Sequence, residues 1–201
     1  MAVRRVFALA LAIVGCACVF PTAARAADAL PWFHTYTVPG NYAVGGVDLV
    51  SLSSEGGLRT RKIVMGNQLP PNAEIIAAFL YWETMWSGAD GVLQELRRQV
   101  KFRGQAVTAI KSSTQPLTAE CRVGGNGQWI SMMRADVLRH LPRQLDANGE
   151  PTGRRLVNES DLAARGLAPH TVTLPDSGVL NSVPQSAGAS LVVIYQDPNP
   201  A

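Results

Sequence analysis

"AEIIAAFLYWETM", residues 73–85, is the stretch whose reading decides the fold. Side chains of an extended chain alternate between two faces, so Ile75, Ala77, Phe79 and Tyr81 point one way and Ile76, Ala78, Leu80 and Trp82 the other. Both sets are apolar. A strand of that kind belongs in the middle of a sheet covered on both sides, or in a core whose back is closed by a loop or neighbouring domain. The run "ASLVVIYQD", residues 189–197, repeats the pattern, with Leu191, Val193 and Tyr195 set against Val192 and Ile194. It carries no charge before Asp197, is therefore unlike an edge strand, and is expected to have a neighbour on each side.

Outward from these two runs, shorter strand-like segments occupy residues 34–38, 41–50, 61–65, 98–104, 105–111, 128–133 and 170–174. Between them stand turn formers: Gly40, the Gly56 and Gly57 pair, Pro70, Pro71 and Asn72, Gly88, Gly104, and the Gly-rich run at 124–127. Only "RADVLRHLPRQL", residues 134–145, reads as helix, because Val137, Leu138, Leu141 and Leu145 recur at helical spacing until Pro142 kinks or ends the run. A parallel α/β sheet needs a helical crossover between successive strands, and one helix cannot supply them. The expected fold is all-β: an antiparallel, jelly-roll-like β-sandwich with one short helix, preceded by a signal peptide.

The leader is read from residues 1–26: Arg4 and Arg5, an apolar run from Val6 to Phe20, Pro21, and the small residues Ala24 and Ala26 in an A-x-A cleavage pattern. The apolar run is shorter than the roughly 20 residues a bilayer span needs, so the mature chain, starting at Ala27, is expected to have no transmembrane segment. An alternative processing is open, because Ile13, Val14, Gly15 and Cys16 resemble a lipoprotein box in which Cys16 is acylated and anchors the protein. Cleavage changes the charge balance: losing Arg4, Arg5 and Arg25 from 18 basic residues leaves 15, equal to the 15 acidic ones. The basic character of the whole chain thus belongs to the leader, and nucleic acid is not an expected partner. Cys16 and Cys18 leave as well, so Cys121 is the one mature cysteine, without an internal disulfide partner. Residues 27–201 are read as one β-sandwich domain. Its last strand-like run ends at a turn sequence, "DPNPA", which raises the expectation that the chain continues in a longer protein.

A resemblance rests on particular segments. "GNYAVGGVDL", "PPNAEIIAAFLYWETMW", "VKFRGQAVTAI", "WISMMRADV" and "SAGASLVVIYQDP" follow one another as in the N-terminal β-domain of large secreted bacterial surface proteins of unknown function, the DUF3344-like class. What the resemblance implies is a fold, a β-domain at the start of a longer surface protein. It implies no activity.

Residues that carry chemistry are sparse. There is no Gly-x-Ser-x-Gly nucleophile elbow, and His34, His140 and His170 are too isolated in sequence to pair on a helix face as metal ligands, which reads them as ordinary surface or edge residues. "DANGE", residues 146–150, lacks the ligand spacing of a calcium loop and reads as a polar turn. Arg97, Lys101 and Arg103 would share one side of a strand as a solvated basic face. Aromatic side chains offer platforms for sugar rings, and Trp86, beside Ser87 and Gly88, is expected to be partly exposed; Trp129 is the second candidate glycan contact, while Trp82 reads as core. No cofactor, metal site or catalytic residue is expected. The reading that follows is a non-catalytic extracellular or cell-surface domain, structural or adhesive, with a glycan or protein as its unidentified surface ligand. A carbohydrate-binding module is the alternative, and a fragment of a secreted hydrolase the third.

Mass spectrometry of the exported protein is expected to find Ala27 at the N-terminus without lipid. A diacylglyceryl mass on Cys16 would replace secretion by membrane anchoring.

Overall fold

The computed structural model describes residues 34–49, 57–117, 127–179 and 182–199, all within one compact unit, Phe33–Ala201. Cys16, Ala24, Ala26, Ala27 and Cys121 lie outside the described residues. Among the described residues eleven strands and two α-helices follow in chain order: β1 (Gly40–Asp48), β2 (Leu58–Lys62), β3 (Glu74–Ser87), α1 (Asp90–Arg98), β4 (Lys101–Phe102), β5 (Gln105–Ala106), β6 (Ile110–Pro116), β7 (Gln128–Asp136), β8 (Arg143–Leu145), β9 (Pro151–Arg155), α2 (Glu159–Ala164), β10 (Thr171–Pro175) and β11 (Gln185–Gln196). One sheet has the order β1-β11-β3-β7-β6, a second β2-β10-β4-β5, and β8 and β9 form a separate hairpin. All strand pairings among the described residues are antiparallel, and the fold is an all-β sandwich.

The two doubly apolar runs are neighbours. β11 lies between β1 and β3, pairing Val192 with Val44 on one side and with Phe79 on the other. Ala78, Leu80 and Trp82 of β3, Met133 and Ala135 of β7, and Leu191 and Val193 of β11 face the second sheet, where Phe102, Val172 and Leu174 meet them. Leu93 and Leu96 of α1 complete the same core. The simple alternation read for β3 fails at its start. A bulge between the pairs Ile194/Ala77 and Tyr195/Ile75 adds Ile76 to β3, and one extra residue exchanges the faces beyond it. Ile75 therefore joins the core, and Ile76 is only half-buried.

Polar side chains within the packing tie neighbouring strands together. Thr84 Oγ1 meets Ser186 Oγ at 2.9 Å, and Ser186 donates to the Pro175 carbonyl at 2.9 Å, tying β3, β11 and the end of β10 together. Arg59 at the start of β2 is buried with Asp176 at 3.0 Å and donates to the Leu49 carbonyl. A buried guanidinium needs such a carboxylate, because desolvating an unpaired charge costs several kcal/mol.

The edge strand β1 is closed by side chains. Gln68 accepts from the Val44 N–H at 3.4 Å and donates to the Val44 carbonyl at 2.9 Å, so one amide side chain takes the place of a neighbouring peptide. Asn41 Oδ1 accepts from the Tyr42 N–H, and the Gly46 carbonyl accepts from the Val64 N–H. These bonds blunt an edge that would otherwise offer pairing groups to another strand. The close approach of residues 64–65 also explains Gly45: a Cβ there would run into Met65 Sδ and the Val64 carbonyl.

The expected helix over 134–145 is not formed. β7 continues to Asp136, the Val137 N–H bonds the Ala78 carbonyl, and a 3₁₀ turn, Leu138–His140, follows with Asp136 Oδ1 accepting from the Leu138 N–H. That turn and the extended residue Leu141 bury Val137 and Leu141, which satisfies the apolar spacing that imitated a helix. Residues 143–155 form the β8–β9 hairpin instead, and "DANGE" is its turn, with Asp146 Oδ1 accepting from the Asn148 and Glu150 N–H groups. Residues 34–38, expected as strand, lie outside any strand and lead into β1. The helices α1 and α2 were not expected. Residues 98–104 do not form one strand: Arg97 and Arg98 end α1, and Arg103 (φ 51°) and Gly104 (φ 75°) make the two-residue turn between β4 and β5. The basic side chains of this stretch therefore do not line one strand face.

Truncation tests the doubly covered strand. Leu80→Ala and Phe79→Ala are each expected to destabilise by about 2 to 5 kcal/mol in denaturant titrations, since both side chains are buried on opposite faces of β3. A loss below about 0.5 kcal/mol at either position would contradict the burial of that face.

Candidate functional site

The face of the five-stranded sheet turned away from the second sheet has an unusual composition. Register places Tyr42 beside Ile194 and Ala77, and Val44 beside Val192, Phe79 and Asp136. In the next row stand Ser190, Tyr81, Arg134 and Ile110, and beyond it Glu83 and Met132. One end of this outer face is thus aromatic and aliphatic, and charge stands on β3 and β7 and, at Asp48 opposite Gly188, at the other end of β1. Tyr42 is 66 % exposed and Val44 42 %, while Val192 and Ile194 between them and β3 are half-buried.

Residues 34–38 pass over part of this face. Burial first, then the negative charge of Asp136 and the neighbouring Tyr81, raises the Tyr36 phenol above its ordinary pKa, with Arg134 opposing. The His34 and Tyr36 rings meet edge to face at 4.6 Å. Beside this segment Tyr36, Val38, Asn41, Tyr42, Val192 and Ile194 line a concavity of about 410 Å³. A second, of about 320 Å³, lies where the β11 register shifts between Ser186 and Ala189, with Tyr81, Glu83, Met132 and Gly188 in its wall. Such a surface can hold flat or apolar groups against tyrosine rings while carboxylate and guanidinium groups orient polar substituents.

The structure places the sequence-derived candidates elsewhere. Trp86, expected partly exposed, is 2 % exposed: β3 does not end before it, so it takes the core face, and its indole N–H donates to Ser131 Oγ at 2.9 Å. Trp129 is its cross-strand partner, stacked at 6.5 Å and half-buried against the core. Neither tryptophan belongs to the outer face, and Trp82 is core as expected. The tyrosines that do line it were not singled out by sequence, although period-two reading from Ala43 inward puts Tyr42 and Val44 together. Among the described residues no group of three or more His, Cys, Asp or Glu side chains is placed to hold a metal ion.

His170 departs most from its reading as an edge histidine. It is 1 % exposed, stacked on Phe102 at 5.8 Å, with Nε2 3.2 Å from the Val157 carbonyl and Nδ1 3.3 Å from Arg103 Nη1. Those partners fit the neutral tautomer protonated on Nε2, which donates to the carbonyl and accepts from the guanidinium. Burial, reinforced by Arg103, pushes its pKa down to about 4. His140 is also lowered, by burial and then Arg139, and accepts Arg139 Nε–H at 3.1 Å while its Nδ1 lies 2.8 Å from Gln105 Oε1.

No protein-family model, curated protein or solved structure matches this chain. No helix among the described residues is long and apolar enough to cross a membrane.

His170 gives the fold a pH dependence whose sign is fixed. Unfolding frees an imidazole of pKa about 6.5 from a site where it titrates near 4, so the unfolded chain binds the extra proton. The stabilisation is complete above about pH 6.5, falls as pH drops toward 4 and is level below that. Its size is on the order of 3 kcal/mol. Denaturant titrations between pH 7 and pH 4 are expected to show His170→Leu losing less stability across this window than the unsubstituted chain. Equal losses would show that His170 does not titrate differently in the two states.

Proposed function

We propose that this chain is a non-catalytic, exported domain of the adhesion type, and that a protein partner on the cell surface covers the outer face of its five-stranded sheet. The observation that carries the reading is the exposure of Tyr42 and Val44 in one aliphatic and aromatic belt with Val192 and Ile194. Contiguous apolar surface of that kind is where soluble proteins meet partners, whereas single exposed apolar residues need no explanation. Strand addition at the β1 edge is disfavoured because Gln68, Asn41 and Gly46 already satisfy it, which leaves the face rather than the edge for contact. The leader at residues 1–26 supports an extracytoplasmic location. The resemblance to the N-terminal β-domains of secreted surface proteins supports the same setting.

A second reading, a carbohydrate-binding module, is favoured by a different feature of the same face. Tyr36, Tyr42 and Tyr81 bring three phenol rings near Glu83, Arg134 and Asp136, a mixture that suits sugar rings and their hydroxyls. In this reading the platform is tyrosine, not the tryptophan pair Trp86 and Trp129.

The two readings separate in one experiment. The purified chain is bound to intact cells of the producing organism, untreated or shaved with protease, with the Tyr42→Ala variant alongside. Because Tyr42 is largely exposed, the substitution is expected to change stability by no more than about 0.5 kcal/mol. Binding weakened about tenfold by Tyr42→Ala and abolished by shaving supports the protein partner. Binding that survives shaving and is competed by soluble polysaccharide selects the carbohydrate reading. Binding indifferent to Tyr42 removes the outer face as the site.

A further inference from the structure

A pocket of about 250 Å³ lies on a different part of the molecule, between the turn at residues 69–73, the β8–β9 hairpin and α2. Its lining holds three arginines, Arg154, Arg155 and Arg165, against a single carboxylate, Asp161. Arg154 is half-buried, and the bonds its guanidinium makes inside the protein are long and neutral, 3.3 Å to Asn72 Oδ1 and 3.5 Å to the Ala73 carbonyl. Both lie near the limit at which a hydrogen bond still counts. Among the described residues no carboxylate comes within ion-pair distance of Arg154, whereas buried Arg59 has Asp176 at 3.0 Å. Asp161 offsets only one of the three charges: its carboxylate stands 3.9 Å from Arg165 Nη1, which also donates to the Asp161 carbonyl at 3.2 Å.

The walls are fixed without a ligand. Asn158 clasps Leu69 in both directions, accepting its N–H at 3.0 Å and donating to its carbonyl at 2.9 Å. The Ala73 N–H closes the Pro70, Pro71 and Asn72 turn onto the Pro70 carbonyl, and Asn72 sits at φ 69°. Register adds charge from behind, because Arg155 stands directly opposite Arg143 across the hairpin. Like charges in that relation destabilise a strand pair unless something neutralises them. Burial and then Arg143 lower the pKa of Arg155, whose Nη1 donates to the Leu141 carbonyl at 2.8 Å.

We infer that this pocket is a binding site for a tetrahedral oxyanion, a phosphate or sulfate group, held between the guanidinium groups of Arg154 and Arg165. The planar fork of a guanidinium matches two oxygens of such a group, and charge-assisted bonds would replace the long neutral ones that Arg154 now makes. The group arrives either as the free ion or as an ester on a sugar, and the pocket recognises the chemistry common to both.

The test titrates the isotopically labelled chain with sodium phosphate, sodium sulfate and a hexose 6-phosphate, each against sodium chloride at matched ionic strength, and follows backbone amide shifts. Saturable shifts at Asn72, Ala73, Arg154 and Arg165 that chloride does not produce are the expected result. Arg154→Gln is expected to weaken binding about tenfold or more, and Arg154→Lys to restore it only in part, since a point charge lacks the fork. Arg165→Gln gives an independent second variant should Arg154→Gln unfold the chain. Tighter binding of the hexose 6-phosphate than of inorganic phosphate identifies an ester on a sugar as the natural form, and the reverse order identifies the free ion. Shifts no larger than those in chloride, or saturation centred on Arg97 and Arg98 of α1 instead, would overturn the inference.

Discussion

The pairing of β11 with β3 is the interaction on which the rest depends. It joins residues more than a hundred positions apart, such as Val192 with Phe79, and also presents β11's free edge to β1. Remove β11 and β1 loses its partner in the sheet, while β3 loses half of its neighbours. Such long loops must close before their contacts stabilise anything, so topology of this kind folds slowly compared with hairpin-rich chains. The same pairing separates two chemistries. Ala189, Leu191 and Val193 on one side of β11 enter the core, while Val192 and Ile194 on the other form the floor of the outer face.

Polar groups secure the margins that apolar burial leaves undetermined. Gln68 closes the β1 edge by imitating a peptide group, and Asn158 performs a similar clasp on Leu69. The Arg59–Asp176 pair marks where β2 begins and β10 ends, and it is incompletely bonded: Arg59 Nε and Asp176 Oδ2 have no hydrogen-bond partner. A pair of this kind adds little net stability over an apolar replacement, but losing one member strands the other in the core. Its contribution is to position rather than to strength.

Two surfaces of opposite character result. The outer face of the five-stranded sheet is tyrosine-rich and aliphatic around Tyr42 and Val44; the pocket beside the β8–β9 hairpin is small, polar and arginine-lined. They are built by different parts of the chain, the first by β1, β3 and β11 and the second by residues 69–73 and 144–165. The proposed contact face and the proposed oxyanion site, on one domain, would let it meet two kinds of chemistry.

Sequence alone determined the class of fold, because residues 75–82 and 191–195 are apolar on both faces, as a strand in the middle of a packed sheet requires. It also located most strands and turns, since β-branched runs and glycine or proline clusters act locally. It misread what depends on distant partners. The helical spacing of Val137, Leu138 and Leu141 was equally satisfied by a 3₁₀ turn, because β7 continued pairing with β3 and withdrew the backbone bonds a helix would need. Trp86 looked terminal beside Ser87 and Gly88, yet β7 extends alongside it and carries it into the core. His170 looked like an edge residue until Phe102, Arg103 and Val157 enclosed it. The candidate face shows the same division: alternation is a local property and assigns Tyr42, Val44, Val192 and Ile194 to their strand faces. Their gathering into one belt follows from register and packing between segments far apart in the chain, which no local pattern encodes, and so does the meeting of residues 69–73 with Arg154 and Arg165 around one pocket.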